Sequence, residues 1–192
     1  SGQITGIKDF SSINIRMPKR IYHAGDYVFD LFQKNNYKCS VLLYSPPGVG
    51  KTTILRELVY RLSTLSNPIR LSVIDSREEI LSGLEINASL DLYLSYPKGE
   101  AINLATRTMT PEIIVCDEIT TREEAIAVLN SVNCGVNIIA TTHASSFNEL
   151  NAKEQILPLI NNKVFDYAIG ISRDIGATRY KFTLNSLKEC LV

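Results

Sequence analysis

Ser45-Pro46-Pro47-Gly48-Val49-Gly50-Lys51-Thr52-Thr53 decides the fold of this chain. It follows the apolar run 39–44 and opens a stretch in which Ile54, Leu55, Leu58, Val59, Leu62 and Leu65 recur at helical spacing. Strand, glycine-containing loop and helix, in that order, are the setting of a phosphate-binding loop. Consecutive backbone N–H groups wrap an anion there, and the positive end of the helix adds to them. Pro47, Gly48, Val49, Gly50, Lys51, Thr52 and Thr53 are therefore the candidate nucleotide contacts. Lys51 is expected to reach the terminal phosphates, and the Thr52 hydroxyl to ligate Mg²⁺. Ser45 stands where the motif has its first glycine. The cost is small if Ser45 keeps β-region angles, because only a positive φ strictly favours glycine. Arg56, Glu57 and Arg61 fall off the apolar stripe, and Ser66-Asn67-Pro68 ends the helix.

A chain of 192 residues with 45% apolar content suits one compact domain, with room for a small appendage. Its 20 basic and 20 acidic side chains cancel. A charge-driven nucleic-acid binder carries a basic excess or a dense basic patch, and the richest cluster here is only Arg16, Lys19 and Arg20, so no nucleic-acid partner is expected. Cys39, Cys116, Cys134 and Cys190 are widely spaced, which reads as reduced, packed cysteine in a cytosolic protein. No apolar stretch reaches the roughly 18 residues of a membrane span, and no signal-peptide pattern opens the chain. Ser1-Gly2 reads as the scar of a cleaved tag, so a fragment lacking an N-terminal domain is expected.

Outward from the loop, residues 3–18 read as a short antiparallel β unit closed by Pro18, and 25–32 as a helix. Residues 1–24 are accordingly expected to be an N-terminal β segment, the remnant of a missing domain, and 25–192 the main domain. Residues 70–75 form a strand ending in an acid. Residues 84–96 have no sustained period; 100–108 read as a helix. Ile113-Ile114-Val115-Cys116 is a continuous apolar run, the mark of a central strand covered on both faces. Thr121 with Glu124 forms a capping-box candidate at the head of a helix over 121–132. A strand over 137–142, a helix over 147–155 and a hairpin from 164–169 and 178–184 complete the reading. Strands alternating with helices call for a mostly parallel sheet with helices on both faces, whose ligands sit beyond the carboxyl ends of the strands.

The chemistry falls at those ends. Asp117 follows four apolar residues, the Walker B pattern, and is the candidate for holding the metal's water shell. Glu118 beside it is the candidate for activating water. The group 75–79 offers carboxylates for the same network and Arg77 for charge neutralisation. His143 ends a strand, where it could bond a phosphate or the water. Arg107 and Arg173 are further candidate phosphate neutralisers. The guanine-reading Asn-Lys-x-Asp element of a Ras-like GTPase is absent: Asn162-Lys163-Val164-Phe165 lacks the aspartate.

The order of these boxes resembles the ATPase core of the stage III sporulation protein AA family, a branch of the type II and type IV secretion ATPases. The resemblance rests on Ser12–Arg16, Pro46–Arg56, Val73–Arg77 with Glu79-Ile80, Pro97-Lys98, Arg107–Glu112 leading into Asp117-Glu118-Ile119, and Ala140–Ala144. It implies a RecA-like P-loop NTPase, an α/β three-layer core with a mostly parallel sheet, a short N-terminal β unit and a C-terminal hairpin. It also implies an ATP hydrolase that uses ATP and Mg²⁺. Lys51 and Thr52 fall on the Walker A lysine and hydroxyl, Asp117 and Glu118 on the Walker B acids. Glu79 falls on the acid of the aspartate box with Arg77 before it, His143 on the histidine box, and Arg107 on an arginine implicated in the nucleotide site. The family resemblance further implies a homohexamer in the mother-cell cytoplasm, peripheral to the membrane through integral partners of a sporulation channel. Three departures stand out: Ser45 for glycine, Thr120-Thr121 after the Walker B glutamate, and no arginine in 87–96. They leave a nucleotide-binding scaffold with little hydrolysis as an alternative reading, beside a DNA-processing RecA-like motor.

Overall fold

The computed structural model describes residue 12 and residues 21–81, 90–174 and 179–187. The expected N-terminal β unit therefore lies almost wholly outside the described residues. Along the chain run α1 (Asp26–Lys34), β1 (Val41–Ser45), α2 (Lys51–Ser63), β2 (Leu71–Asp75), β3 (Leu90–Leu94), α3 (Lys98–Thr108) and β4 (Ile113–Glu118). They are followed by α4 (Arg122–Asn133), β5 (Asn137–His143), α5 (Phe147–Asn151), α6 (Leu157–Asn161), β6 (Tyr167–Ser172) and β7 (Lys181–Ser186). One sheet has the order β3-β2-β4-β5-β1-β6-β7, parallel throughout except for β7 against β6. This is the three-layer α/β core of the RecA-like fold.

The layers follow from the alternation of side chains along strands buried on both faces. In β1, Val41 and Leu43 join a core with Phe32 of α1 and Ile54, Leu55, Leu58 and Leu62 of α2. Leu42 and Tyr44 face the other way, into a core with Ala101, Ile102 and Ala105 of α3 and Val128 of α4. The chain leaves β1 and returns as β2 three places away, skipping the two that β5 and β4 later fill. Such a switch point opens a crevice at the carboxyl end of β1.

Four expectations need correction. Residues 84–96 contain β3, an edge strand. The helix over 147–155 is instead two short helices, α5 and α6, the second with Pro158 in its first turn. The strand expected from Val164 begins at Tyr167; Val164 and Phe165 are buried ahead of it. Arg56 and Glu57 are off the apolar stripe yet 7% and 3% exposed, because α2 is covered on that side too. The helix α4 starts as read: Thr121 Oγ1 accepts from the Glu124 N–H while Glu124 accepts from the Thr121 N–H, a complete capping box.

Candidate functional site

The loop after β1 takes the conformation its sequence allows. Gly48 and Gly50 carry φ of +76° and +129°, and Ser45 is the last residue of the strand. A side chain at 45 is therefore tolerated, and its hydroxyl donates to the Pro46 carbonyl at 2.8 Å. Nothing lies within 4 Å of where a Cβ on Gly48 would sit. The loop thus leaves a backbone cradle open at the N-terminus of α2, a helix of 13 residues.

The cradle forms one wall of a cleft of about 590 Å³. Pro47, Gly48, Gly50, Lys51, Thr52 and Thr53 line it on that side, Arg77, Glu78 and Glu79 on another, and Asp117, Glu118, Thr141 and His143 on a third. Asp117 and Glu118 are adjacent in sequence, and in a regular strand they would point to opposite faces. They share the cleft because the β4–β5 register slips: Val115 pairs with Ile139, but Glu118 pairs with Thr141. The extra residue re-aims the end of β4, the use to which bulges beside functional sites are put.

Lys51 is 7% exposed. Its Nζ donates to the Ser45 carbonyl at 3.0 Å and lies 2.6 Å from His143 Nδ1. His143 Nε2 lies 3.1 Å from Glu118 Oε2. The ammonium can only donate, so Nδ1 accepts from it, and Nε2 is the ring nitrogen left facing Glu118. Lys51, His143 and Glu118 thus form one connected chain across the cleft. Burial pushes the Lys51 amine down to about 8, against the pull of Glu118.

Asp75 serves the loop beside the cleft. It is fully buried, and its carboxylate accepts the N–H groups of Glu79, Ile80 and Leu81 at 2.9, 2.8 and 3.2 Å. Arg56 holds the same loop from α2, donating through Nε to the Ile80 carbonyl at 3.1 Å and through its guanidinium to the Glu79 carbonyl. These contacts set Arg77 and Glu79 on the cleft wall. Arg107 is different. It sits exposed in the last turn of α3, ahead of the start of β4, at the pole opposite the carboxyl ends of the strands. It therefore takes no part in the cleft of its own chain. Arg173 is also outside the cleft lining, with its guanidinium 5.5 Å from the centre of the Tyr180 ring.

Sequence reasoning missed Lys98 as a site residue. Its Nζ lies 2.5 Å from Asp117 Oδ1 and also donates to the Glu118 carbonyl. Burial opposes charge on both partners. On Lys98 the neighbouring carboxylates outweigh it and hold the ammonium above the ordinary lysine range; on Asp117 burial prevails and raises the carboxyl. A signal was available: a lysine at the first position of a helix faces the positive end of the dipole, where an acid is favoured. Its presence there points to an anionic partner.

Magnesium takes hard oxygen donors and keeps much of its water, relying on one or two carboxylates plus substrate phosphates. Among the described residues no cluster of three or more His, Cys, Asp or Glu could hold a metal alone. Thr52 and Asp117, both oxygen donors on the cleft wall beside the open cradle, fit an ion that arrives with a phosphate.

Comparison with known proteins gives a family and a fold. The family model described as "Sporulation stage III, protein AA" matches residues 1–182. Stage III sporulation protein AA of Bacillus subtilis is 29% identical over 186 residues, covering 92% of this chain and 60% of that protein. Among solved structures, the ATPase DotB of Legionella pneumophila superposes with a TM-score of 0.69 at 16% identity, over 90% of this chain and 52% of DotB. The VirB11 ATPase of the Brucella suis type IV secretion system, in complex with sulphate, gives 0.63 at 18%, over 85% and 52%. The two structures share the fold, and this chain spans between half and two thirds of each of these relatives.

Proposed function

We propose that this chain, which belongs to the sporulation stage III, protein AA family, is a magnesium-dependent ATP hydrolase of the secretion-ATPase type. The observation that carries the reading is the meeting of Lys51, Thr52, Asp117, Glu118 and His143 on one cleft at the carboxyl ends of β1, β4 and β5. The amides of 47–53 would bind the phosphates, with Lys51 turning its ammonium from the Ser45 carbonyl toward them. Thr52 and Asp117 would hold Mg²⁺, which when bound supplies positive charge against the phosphate oxygens. Glu118 orients the attacking water and draws on its proton. His143 links the phosphate-binding lysine to that carboxylate. From the facing wall, Glu79 orients and Arg77 offsets phosphate charge.

The names of the relatives support a wider setting: a stage III sporulation protein, and two ATPases of which one, VirB11, belongs to a type IV secretion system. In that setting the protein is a homohexamer in the mother-cell cytoplasm. It attaches through integral membrane partners to a channel at the boundary with the forespore and energises its assembly or transport. Among the described residues no helix is long and apolar enough to cross a membrane.

The test is turnover of the full-length protein at concentrations that allow assembly, with and without Glu118→Gln. Loss of a positioned general base is expected to slow hydrolysis about 10²- to 10⁴-fold while ATP still binds. Unchanged hydrolysis in the variant refutes the assignment. Tight binding with no turnover in the wild type would instead establish a nucleotide-dependent scaffold.

A further inference from the structure

Lys98 opens α3 and is 8% exposed. Its ammonium touches Asp117 Oδ1 at 2.5 Å, the Glu118 carbonyl, and Glu124 Oε1 at 3.6 Å. The other oxygen of Glu124 accepts the N–H groups of Thr120 and Thr121 at 2.7 and 3.2 Å. One buried cation thus joins the bulged end of β4 to the cap of α4.

The contact divides the two oxygens of Asp117. Oδ1 is fully buried, yet the Asp117 side chain is 16% exposed and lines the cleft. With Oδ1 turned inward to Lys98, Oδ2 is the oxygen left to address the cleft. We propose that Lys98 is a positioning residue for the metal site. It fixes the Asp117 carboxylate so that a single oxygen faces the metal's water shell. Through the Glu118 carbonyl it also locks the bulged peptide that sends both acids to one cleft. This rests on the reading of Asp117 as the metal-organising acid.

The arrangement has a chemical reason. A carboxylate free to rotate offers either oxygen, or both, to a cation, and Mg²⁺ demands near-ideal octahedral placement. Outer-shell partners that orient a ligand typically change metal affinity about 10- to 100-fold when removed. A lysine suits this place because its compact ammonium can pair with the Asp117 carboxylate while it donates to the Glu118 carbonyl.

The experiment is a Mn²⁺ titration followed by electron paramagnetic resonance on ADP-saturated protein, comparing wild type, Lys98→Met, Asp117→Asn and the double variant. Lys98→Met is expected to weaken Mn²⁺ roughly 10- to 100-fold. ADP affinity measured without metal should stay within about twofold of wild type, which a general loss of structure would not allow. If Asp117→Asn weakens Mn²⁺ and Lys98→Met does not, the positioning role is wrong and the metal reading survives. If Asp117→Asn itself has no effect, the metal reading falls. Removing one partner of a buried ion pair destabilises strongly, whereas neutralising both is often tolerated. Should Lys98→Met not fold, the double variant decides: it is expected to bind Mn²⁺ as Asp117→Asn does, and a further tenfold loss overturns the inference.

Discussion

Replacing Gly50 by alanine probes the phosphate cradle at its most constrained point. Gly50 caps α2 with φ +129° and ψ 21°, a conformation that side chains rarely adopt. Holding a non-glycine residue in such a sparsely populated region costs about 1–3 kcal/mol. The added Cβ would also lie 2.5 Å from the Tyr180 hydroxyl. That atom is the far end of a side chain, so it can move, at a cost of about 1 kcal/mol in displaced packing. The sum is a loss of roughly 2–4 kcal/mol. Tyr180→Ser in the same background should recover the crowding part and leave the backbone part.

Gly170→Ala supplies the control. There the Cβ would lie 2.7 Å from the Tyr44 hydroxyl, inside β6, with no positive φ. It crowds the core without touching the loop. The assay is urea unfolding with and without Mg·ATP. A ligand at about a hundred times its Kd adds about 2.7 kcal/mol to a protein that binds it. Gly50→Ala should lose both intrinsic stability and most of this ligand increment, because its strain falls on the amides that hold phosphate. Gly170→Ala should lose stability and keep the increment. If Gly50→Ala unfolds at the wild-type midpoint and keeps the full increment, the loop does not bind phosphate as argued.

Two further outcomes are expected. Burial holds the free Lys51 amine at about 8, and an adjacent triphosphate would raise it. Below pH 8 both states are protonated and affinity is flat. Above it the free protein has lost a proton that the complex keeps, so binding takes one up and affinity falls by up to about tenfold per pH unit. Calorimetry in buffers of different ionisation enthalpy should therefore find proton uptake near zero at about pH 7 and approaching one at about pH 9; equal uptake at both contradicts the assignment. Thr121→Ala removes the side-chain acceptor at the head of α4 and should cost about 1 kcal/mol in urea unfolding, with no loss meaning the cap contributes nothing.

The parts of the fold legible in the sequence were those whose signal is local and strong. The apolar runs of β1 and β4, the loop between β1 and α2, and the Thr121–Glu124 cap each carry their own chemistry. β3 did not read because its alternation points the wrong way. Leu92 and Leu94 are both 43% exposed, while Tyr93 packs on the core and Asp91 accepts from Ser72 at 3.2 Å. α6 has only five residues, too few for a helical period to show. Arg56 and Glu57 are buried by what folds over α2: the 79–80 backbone takes the guanidinium, and Gly25 packs beside Glu57, where a Cβ would be 3.4 Å from its Cγ.

In the candidate site, the strand-end rule pointed to the acids, the lysine and the histidine that line the cleft. It could not give the bulge that lets Asp117 and Glu118 share a cleft, nor the pairing of Lys98 across 19 residues to Asp117. Arg107 does not line the cleft of its own chain, for the converse reason. A residue shortly before a strand lies at the strand's starting end, so nearness in sequence to Asp117 put it far from the cleft.

Whether the cleft between the loop and the end of β4 receives a metal-bound triphosphate is read out by calorimetric titration of Mg·ATP into wild type and Lys51→Ala. The wild type should bind saturably, more weakly when Mg²⁺ is chelated, and binding should be lost, or reduced at least about a hundredfold, in the variant. Equal affinity in the two proteins, or none in either, contradicts it.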